Sequence, residues 1–339
     1  MSVDSGSIPD NLPLEQAGGS DTSAVAVRIF GWAVLGVLVV FLFNDFLTYW
    51  LGWPGTLRVN DASTDVRSWV QAGLYGAAIL LAVLYVLGNH ERSLRTDRNQ
   101  IFRINSFLIR TAFWAVLLIG LVDVTLAFLR GEDLLENLFG KQLAFSLARA
   151  EIRGAYVHMP LIAVSILIAA FTRTIGVVWL ALLIVIAELL IVISRFVFSY
   201  EQLYMTDLVR FWYAALFLFG CAYTLREEGH VRVDVLYARF TPRTKGLINA
   251  LGTVLLGMPF CWLILIVGMA GKRGIINSSL LTYEIEGLGD GMYILYLMAV
   301  FMGLFAITML IEFVGFLFDA VADYRQEPGG RSHDAHVLQ

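Results

Sequence analysis

Asp123, Glu188, Arg195, Asp207, Arg210, Glu312 and Asp319 all stand inside, or at the edges of, long apolar runs. Ionisable side chains at that depth are costly to bury and mark ion pathways, relays or paired anchors. Glu188 is near the middle of its run, and counting from the next turn sets it level with Ala214 and Ala215, with no cation beside it. It is then protonated, paired with another helix, or open to water for proton relay or sodium coordination. Asp123 has the same status with less context. Arg195 and Asp207 lie equally far from Glu201, so an antiparallel hairpin turning there sets them at one depth, and a charge pair is expected. Arg210 follows three residues later on the same helical face as Asp207. Such a set is either a contact point for a partner or substrate, or a clamp within the hairpin. Glu312 and Asp319 read as interface or headgroup positions.

Other chemistries find little support. His158, beside Pro160, has no second membrane histidine for haem ligation, because His90 and His230 are in loops and His333 and His336 in the tail. There is no Gly-x-Ser-x-Gly, no His-Glu-x-x-His and no phosphate-binding Gly-x-x-x-x-Gly-Lys-Ser/Thr string. Cys221 and Cys261 both sit in apolar runs and give no disulfide or metal framework. No catalytic, substrate-binding or metal residue is assigned, no cofactor is implied, and a net charge of −4 carries no nucleic-acid signature.

The elements that position these groups are membrane helices. The chain is 58% hydrophobic and 15% charged, with a mean hydropathy of +0.72. Soluble domains carry about 25% charged residues. The apolar runs are continuous and of the length a bilayer demands, about 20 residues, rather than alternating as in a barrel. The fold class is therefore all-α and polytopic. Eight spans are expected at 24–43, 69–88, 106–129, 155–171, 176–198, 204–225, 247–270 and 292–318. Arg173 alone separates the fourth from the fifth, so one bent helix and seven spans is the alternative. The 130–154 stretch reads as an amphipathic surface element. Residues 1–23 form a disordered cytoplasmic tail, 24–175 a four-helix region, 176–320 a second four-helix region, and 321–339 a cytoplasmic tail.

Arg and Lys concentrate in the segments around Arg92–Arg103 and Arg226–Lys245, which places those loops and both termini in the cytoplasm. Paired strings hint at a parallel internal repeat. Asn89-His90-Glu91-Arg92 follows the second span and Gly229-His230-Val231-Arg232 the sixth; Gly154-Ala155-Tyr156 opens the fourth and Gly291-Met292-Tyr293 the eighth. The segment 227–242 carries His230, Arg232 and Asp234 and looks amphipathic, suited to the headgroup plane with Arg232 and Arg239 near phosphates.

Residues 176–315 resemble the small membrane subunit (DctQ-like) of tripartite ATP-independent periplasmic (TRAP) transporters. The match is carried by Arg195-Phe196-Val197-Phe198, Asp207, Gly220-Cys221-Ala222-Tyr223-Thr224-Leu225, His230-Val231-Arg232-Val233-Asp234 and Thr241-Pro242-Arg243. The branch it looks closest to is associated with mannitol, chloroaromatic or keto-acid-like compounds. The resemblance implies a bacterial inner-membrane protein that supports a large membrane subunit. That subunit carries a small organic acid inward with sodium after a periplasmic binding protein has captured it. Substrate and sodium sites would belong to the large subunit. Arg195, Asp207, Arg210, Glu188, His230, Arg232 and Asp234 are then candidates for structural or partner contacts. A typical small subunit has four spans, so residues 1–175 are an addition. The competing reading is a self-sufficient channel or carrier using Glu188 and Asp123.

Overall fold

The computed structural model describes residues 22–56, 65–173, 176–201, 203–226, 237, 239–283 and 291–329. Among these, eight helices are long and apolar enough to cross a membrane. They are α1 (Thr22–Tyr49), α2 (Val66–Gly88), α3 (Leu94–Gly131), α6 (Ala150–Phe171), α7 (Val177–Phe198), α8 (Leu203–Arg226), α9 (Pro242–Gly268) and α11 (Leu295–Tyr324). Short helices α4 (Leu134–Phe139) and α5 (Lys141–Leu147) fill the loop after α3, and α10 (Ile275–Thr282) follows α9. The eight-span expectation holds, and the fourth and fifth spans are separate. Thr172 ends α6 in an extended conformation and Gly176 caps α7.

Local chemistry sets several boundaries. Ser93 caps α3 by accepting from Thr96 N, and Thr241 caps α9 by accepting from Thr244 N, with Pro242 in the first turn where a missing N–H costs nothing. Ser199 ends α7 in the left-handed region at φ 52°, with Tyr200 N bonding back to Ser194 O. Two spans contain a π-turn, at Gly154–His158 in α6 and Thr253–Gly257 in α9. Each directly precedes a Met-Pro pair. Proline removes a backbone donor and crowds the preceding turn, and a widened turn accommodates both effects. The repeat suggested by short strings pairs spans four and eight, whereas the π-turns fall in spans four and seven.

α11 is the most buried span, and α3, at 38 residues, is the longest. Together they form the spine. One apolar cluster joins α3, α7, α8 and the start of α11 through Phe113, Phe211, Trp212, Phe219 and Phe301. The other joins α1, α3, α9 and α11 through Leu38, Ile101, Leu265, Leu310 and Phe318. Small residues allow the close approaches that helix association in lipid relies on. Gly31 of α1 lies under Phe318, and Gly246 of α9 lies on the backbone of α11 at Ala320 and Tyr324. Arg325 donates to Ser23 at 2.6 Å, so the start of α1 and the end of α11 share one face, here the terminal face.

Candidate functional site: buried charge clusters that join the two halves

At the face opposite the termini, Asp123 of α3 is the hub of a fully buried cluster. Its Oδ1 accepts from Arg153 Nη1 at 2.9 Å and faces His158 Nε2 at 3.4 Å; its Oδ2 accepts from Tyr293 N at 2.8 Å. His158 Nδ1 lies 2.7 Å from the Tyr296 hydroxyl. With a proton on Nε2 the ring donates to Asp123, and Nδ1 then accepts from Tyr296. Arg153 and His158 are five residues apart. That spacing would splay them on an α-helix, but the π-turn between them has an i to i+5 repeat and aims both at Asp123. Arg130 donates to Gly291 O at 2.6 Å, and Arg130 and Arg153 both stack over the Tyr293 ring. The entry to α11 is thus held by groups from α3 and α6.

Toward the terminal face, Glu312 of α11 is 1% exposed and takes Arg226 Nη2 at 2.8 Å and Asn105 Nδ2 at 2.7 Å. Arg226 also donates to Ser106 and stacks over Phe102. At the terminal face itself, Asp319 receives Arg95 and Arg98, each at 2.5 Å, and Asp323 receives Arg95 at 2.7 Å. Asp97, in the first turn of α3 where the helix dipole favours a carboxylate, accepts from Arg28 at 2.8 Å and Trp32 at 3.0 Å. On the other face, Asp45 of α1 accepts from Asn277 of α10 at 3.0 Å.

Several expectations need correction. Arg195 and Asp207 do not pair. Arg195 is 60% exposed and meets Glu201 at 3.3 Å, whereas Asp207 is buried and accepts from Met292 N at 3.0 Å, with exposed Arg210 at 4.0 Å. Equal distance from the turn fixes depth but not azimuth, and Asp207 faces α11 while Arg195 faces outward. Asp123 is richly partnered, not isolated. Glu312 is an interior anchor rather than a headgroup position, whereas Asp319 is half-buried at the terminal face, paired with Arg95 and Arg98. Glu188 lies on the exposed flank of α7, level with exposed Val185, Leu189 and Val192. His230, Arg232 and Asp234, with most of the amphipathic segment, lie outside the described residues. The 130–154 stretch is helical in short pieces with exposed Leu138, Leu143 and Phe145, fitting an element in the membrane plane. Beyond it, Tyr200 donates to Glu132 at 2.6 Å, which pushes its hydroxyl pKa up.

Sequence reasoning missed Arg153, Arg226, Asn105 and the Arg28–Asp97 pair. One available signal was depth: Arg226 ends a span that enters from the side opposite the termini, so it falls near the level of Glu312.

Each buried carboxylate accepts from a cation, an amide or a backbone N–H, although Asp97 Oδ1 has no partner of its own, and among the described residues no group of His, Cys, Asp and Glu could hold a metal ion. Such an arrangement anchors helices. Residues 182–318 match the family model described as "Tripartite ATP-independent periplasmic transporters, DctQ component". No curated protein and no solved structure matches the chain. The matched stretch begins within α7 and ends within α11, so the similarity to the DctQ component covers the second half of the bundle.

Proposed function

We propose that the chain is the small, scaffolding membrane subunit of a sodium-driven, binding-protein-dependent TRAP transporter that imports a small organic acid or related solute. It sits in a bacterial inner membrane with both termini cytoplasmic. Its partners are a large TRAP membrane subunit, a periplasmic substrate-binding protein and membrane lipids. The observation that carries this reading is the pairing of Asp123 and Glu312 with groups of the chain itself, beside an open flank on α7. A carrier binds ions or solute through broken helices and spare polar groups at mid-depth. Here Asp123 is consumed by Arg153, His158 and Tyr293, and Glu312 by Arg226 and Asn105. By contrast α7 exposes Val178, Trp179, Leu182, Val185, Leu189, Phe196 and Phe198, and Glu188 sits among them. That surface suits a lipid or protein neighbour held at fixed depth.

Residues 24–175 act in this reading as a brace for the DctQ-type region rather than as a separate module. The support is that α3 supplies partners to Glu312, Asp319 and Asp323 of α11. The test is reconstitution into liposomes with an inward sodium gradient and the matching binding protein. The chain alone is expected to move no solute, and the complex of both membrane subunits to move it. Uptake by this chain without the large subunit would sink the scaffold reading and favour a self-sufficient carrier.

A further inference from the structure

A cleft of about 470 Å³ opens between α3 of the first half and α7 of the DctQ-type region. Phe113, Trp114 and Leu117 form one wall, and Trp179, Leu182 and Ile186 the other. The cleft is almost wholly apolar along its length, and its chemistry changes only at one end. There the α6–α7 turn crosses α3: the Trp114 indole donates to Thr172 Oγ1 at 3.1 Å, and Gly176 packs against Phe113. Arg173 is in that turn and is exposed. Arg110 lies one helical turn from Phe113 and Trp114, on the side of the terminal face. Among the described residues neither arginine has an ion-pair partner, and Arg110 Nε is shielded from solvent without a hydrogen-bond acceptor. Elsewhere among the buried clusters every arginine has its carboxylate or carbonyl. Neither arginine lines the cleft itself, but Arg110 precedes Phe113 on α3 and Arg173 follows Thr172, so two cations without acids stand beside one end of an apolar cleft flanked by two tryptophans.

We propose that this cleft holds one acyl chain of an anionic phospholipid whose headgroup phosphate is bound by Arg110 and Arg173. The chain would lie along Phe113, Leu117, Leu182 and Ile186, with Trp114 and Trp179 at the carbonyl level where indoles concentrate. The charge complementarity selects an anionic over a zwitterionic headgroup. Because the walls come from the two halves, the lipid would fill the seam between α3 and α7 that protein side chains leave open.

The test uses the purified full-length chain, stripped of lipid in detergent and then titrated with phosphatidylglycerol or phosphatidylcholine of identical acyl chains, with native mass spectrometry counting retained lipid. One phosphatidylglycerol per chain is expected to be held about thirtyfold more tightly than phosphatidylcholine, the size two arginines near a phosphate supply. R110Q/R173Q should abolish that preference. Leu182→Trp, on the exposed wall, should lower retention of both lipids by filling the cleft. Equal retention of the two lipids by the wild type, a preference that survives R110Q/R173Q, or retention unchanged by L182W would each overturn the proposal. If the double variant does not purify, R110Q and R173Q are read singly, each expected to lower the preference about fivefold; no change in either is again a refutation.

Discussion

Arg226 and Glu312 meet at 2.8 Å inside the bundle, both within the matched DctQ stretch, yet Asn105 and Ser106 of α3 complete the site. A buried ion pair is tolerable only when its remaining donors and acceptors find partners. Here those partners come from outside the matched residues, so the family-like region in this chain has its interior charge finished by the first half.

Removing one side of that pair should be costly. Glu312→Ala leaves Arg226 buried without its acid, and a loss of about 3–5 kcal/mol is expected. Asn105→Ala should cost less, about 1–3 kcal/mol, as a lost hydrogen bond to a charged group. The two sites touch, so the double variant should depart from additivity by more than about 0.5 kcal/mol. Unfolding in detergent at fixed lipid content measures all three. Wild-type stability in Glu312→Ala would show that the site is wet.

Arg195 and Asp207 should behave as strangers. Arg195→Ala removes only an exposed pair with Glu201, and a change below about 1 kcal/mol is expected. Asp207→Ala removes the acceptor for Met292 N at the mouth of α11, and should cost about 1–3 kcal/mol, with Asp207→Asn recovering most of it through the amide oxygen. A double-mutant cycle should give a coupling within about 0.5 kcal/mol of zero. Strong coupling would mean the two side chains meet in a state other than this one.

The spans, their number and the DctQ-like character of the second half were legible in the sequence because each rests on a property of the chain by itself: run length, charge density, short strings. Partnership was not. Asp123 looks solitary in its span, and its partners lie 30, 35 and 170 residues away. His158 is aimed at it only because a π-turn changes the local repeat, and nothing in the composition of Gly154–His158 announces a π-turn except Pro160 beyond it. The Arg195–Asp207 error has the opposite origin. Rotation about the helix axis is set by what α11 buries, and hairpin counting, which concerns depth alone, is blind to that.

The Asp123 cluster gives a graded series. Arg153→Met strands a fully buried carboxylate, and about 3–5 kcal/mol should be lost. His158→Phe keeps the ring volume but leaves the Tyr296 hydroxyl without its acceptor and Asp123 without one donor, so about 1–3 kcal/mol is expected. Asp123→Leu with Arg153→Met removes both charges and should cost less than Arg153→Met alone, because no unpaired ion remains. Thermal unfolding of the three variants orders them. If the double variant is the worst, the pair contributes more than it costs to bury, and the cluster is a net source of stability rather than a fixer of geometry.

The contact between α9 and α11 separates two glycines of one helix. A methyl group on Gly246 would meet the Ala320 carbonyl and the Tyr324 amide, which are backbone and cannot swing aside. Around Gly252, six residues on, nothing lies close enough to touch one. Gly246→Ala should therefore force the helices apart, costing about 1–3 kcal/mol as overpacking does. Gly252→Ala should be neutral or stabilise by up to about 1 kcal/mol through helix propensity. The displaced end of α11 carries Asp319 and Asp323, the acids that Arg95 and Arg98 hold. Gly246→Ala should then also weaken that cluster, so that Arg95→Ala costs less in its background than in the wild type. Equal effects of the two glycine substitutions would mean that α9 does not rest on the α11 backbone at Gly246.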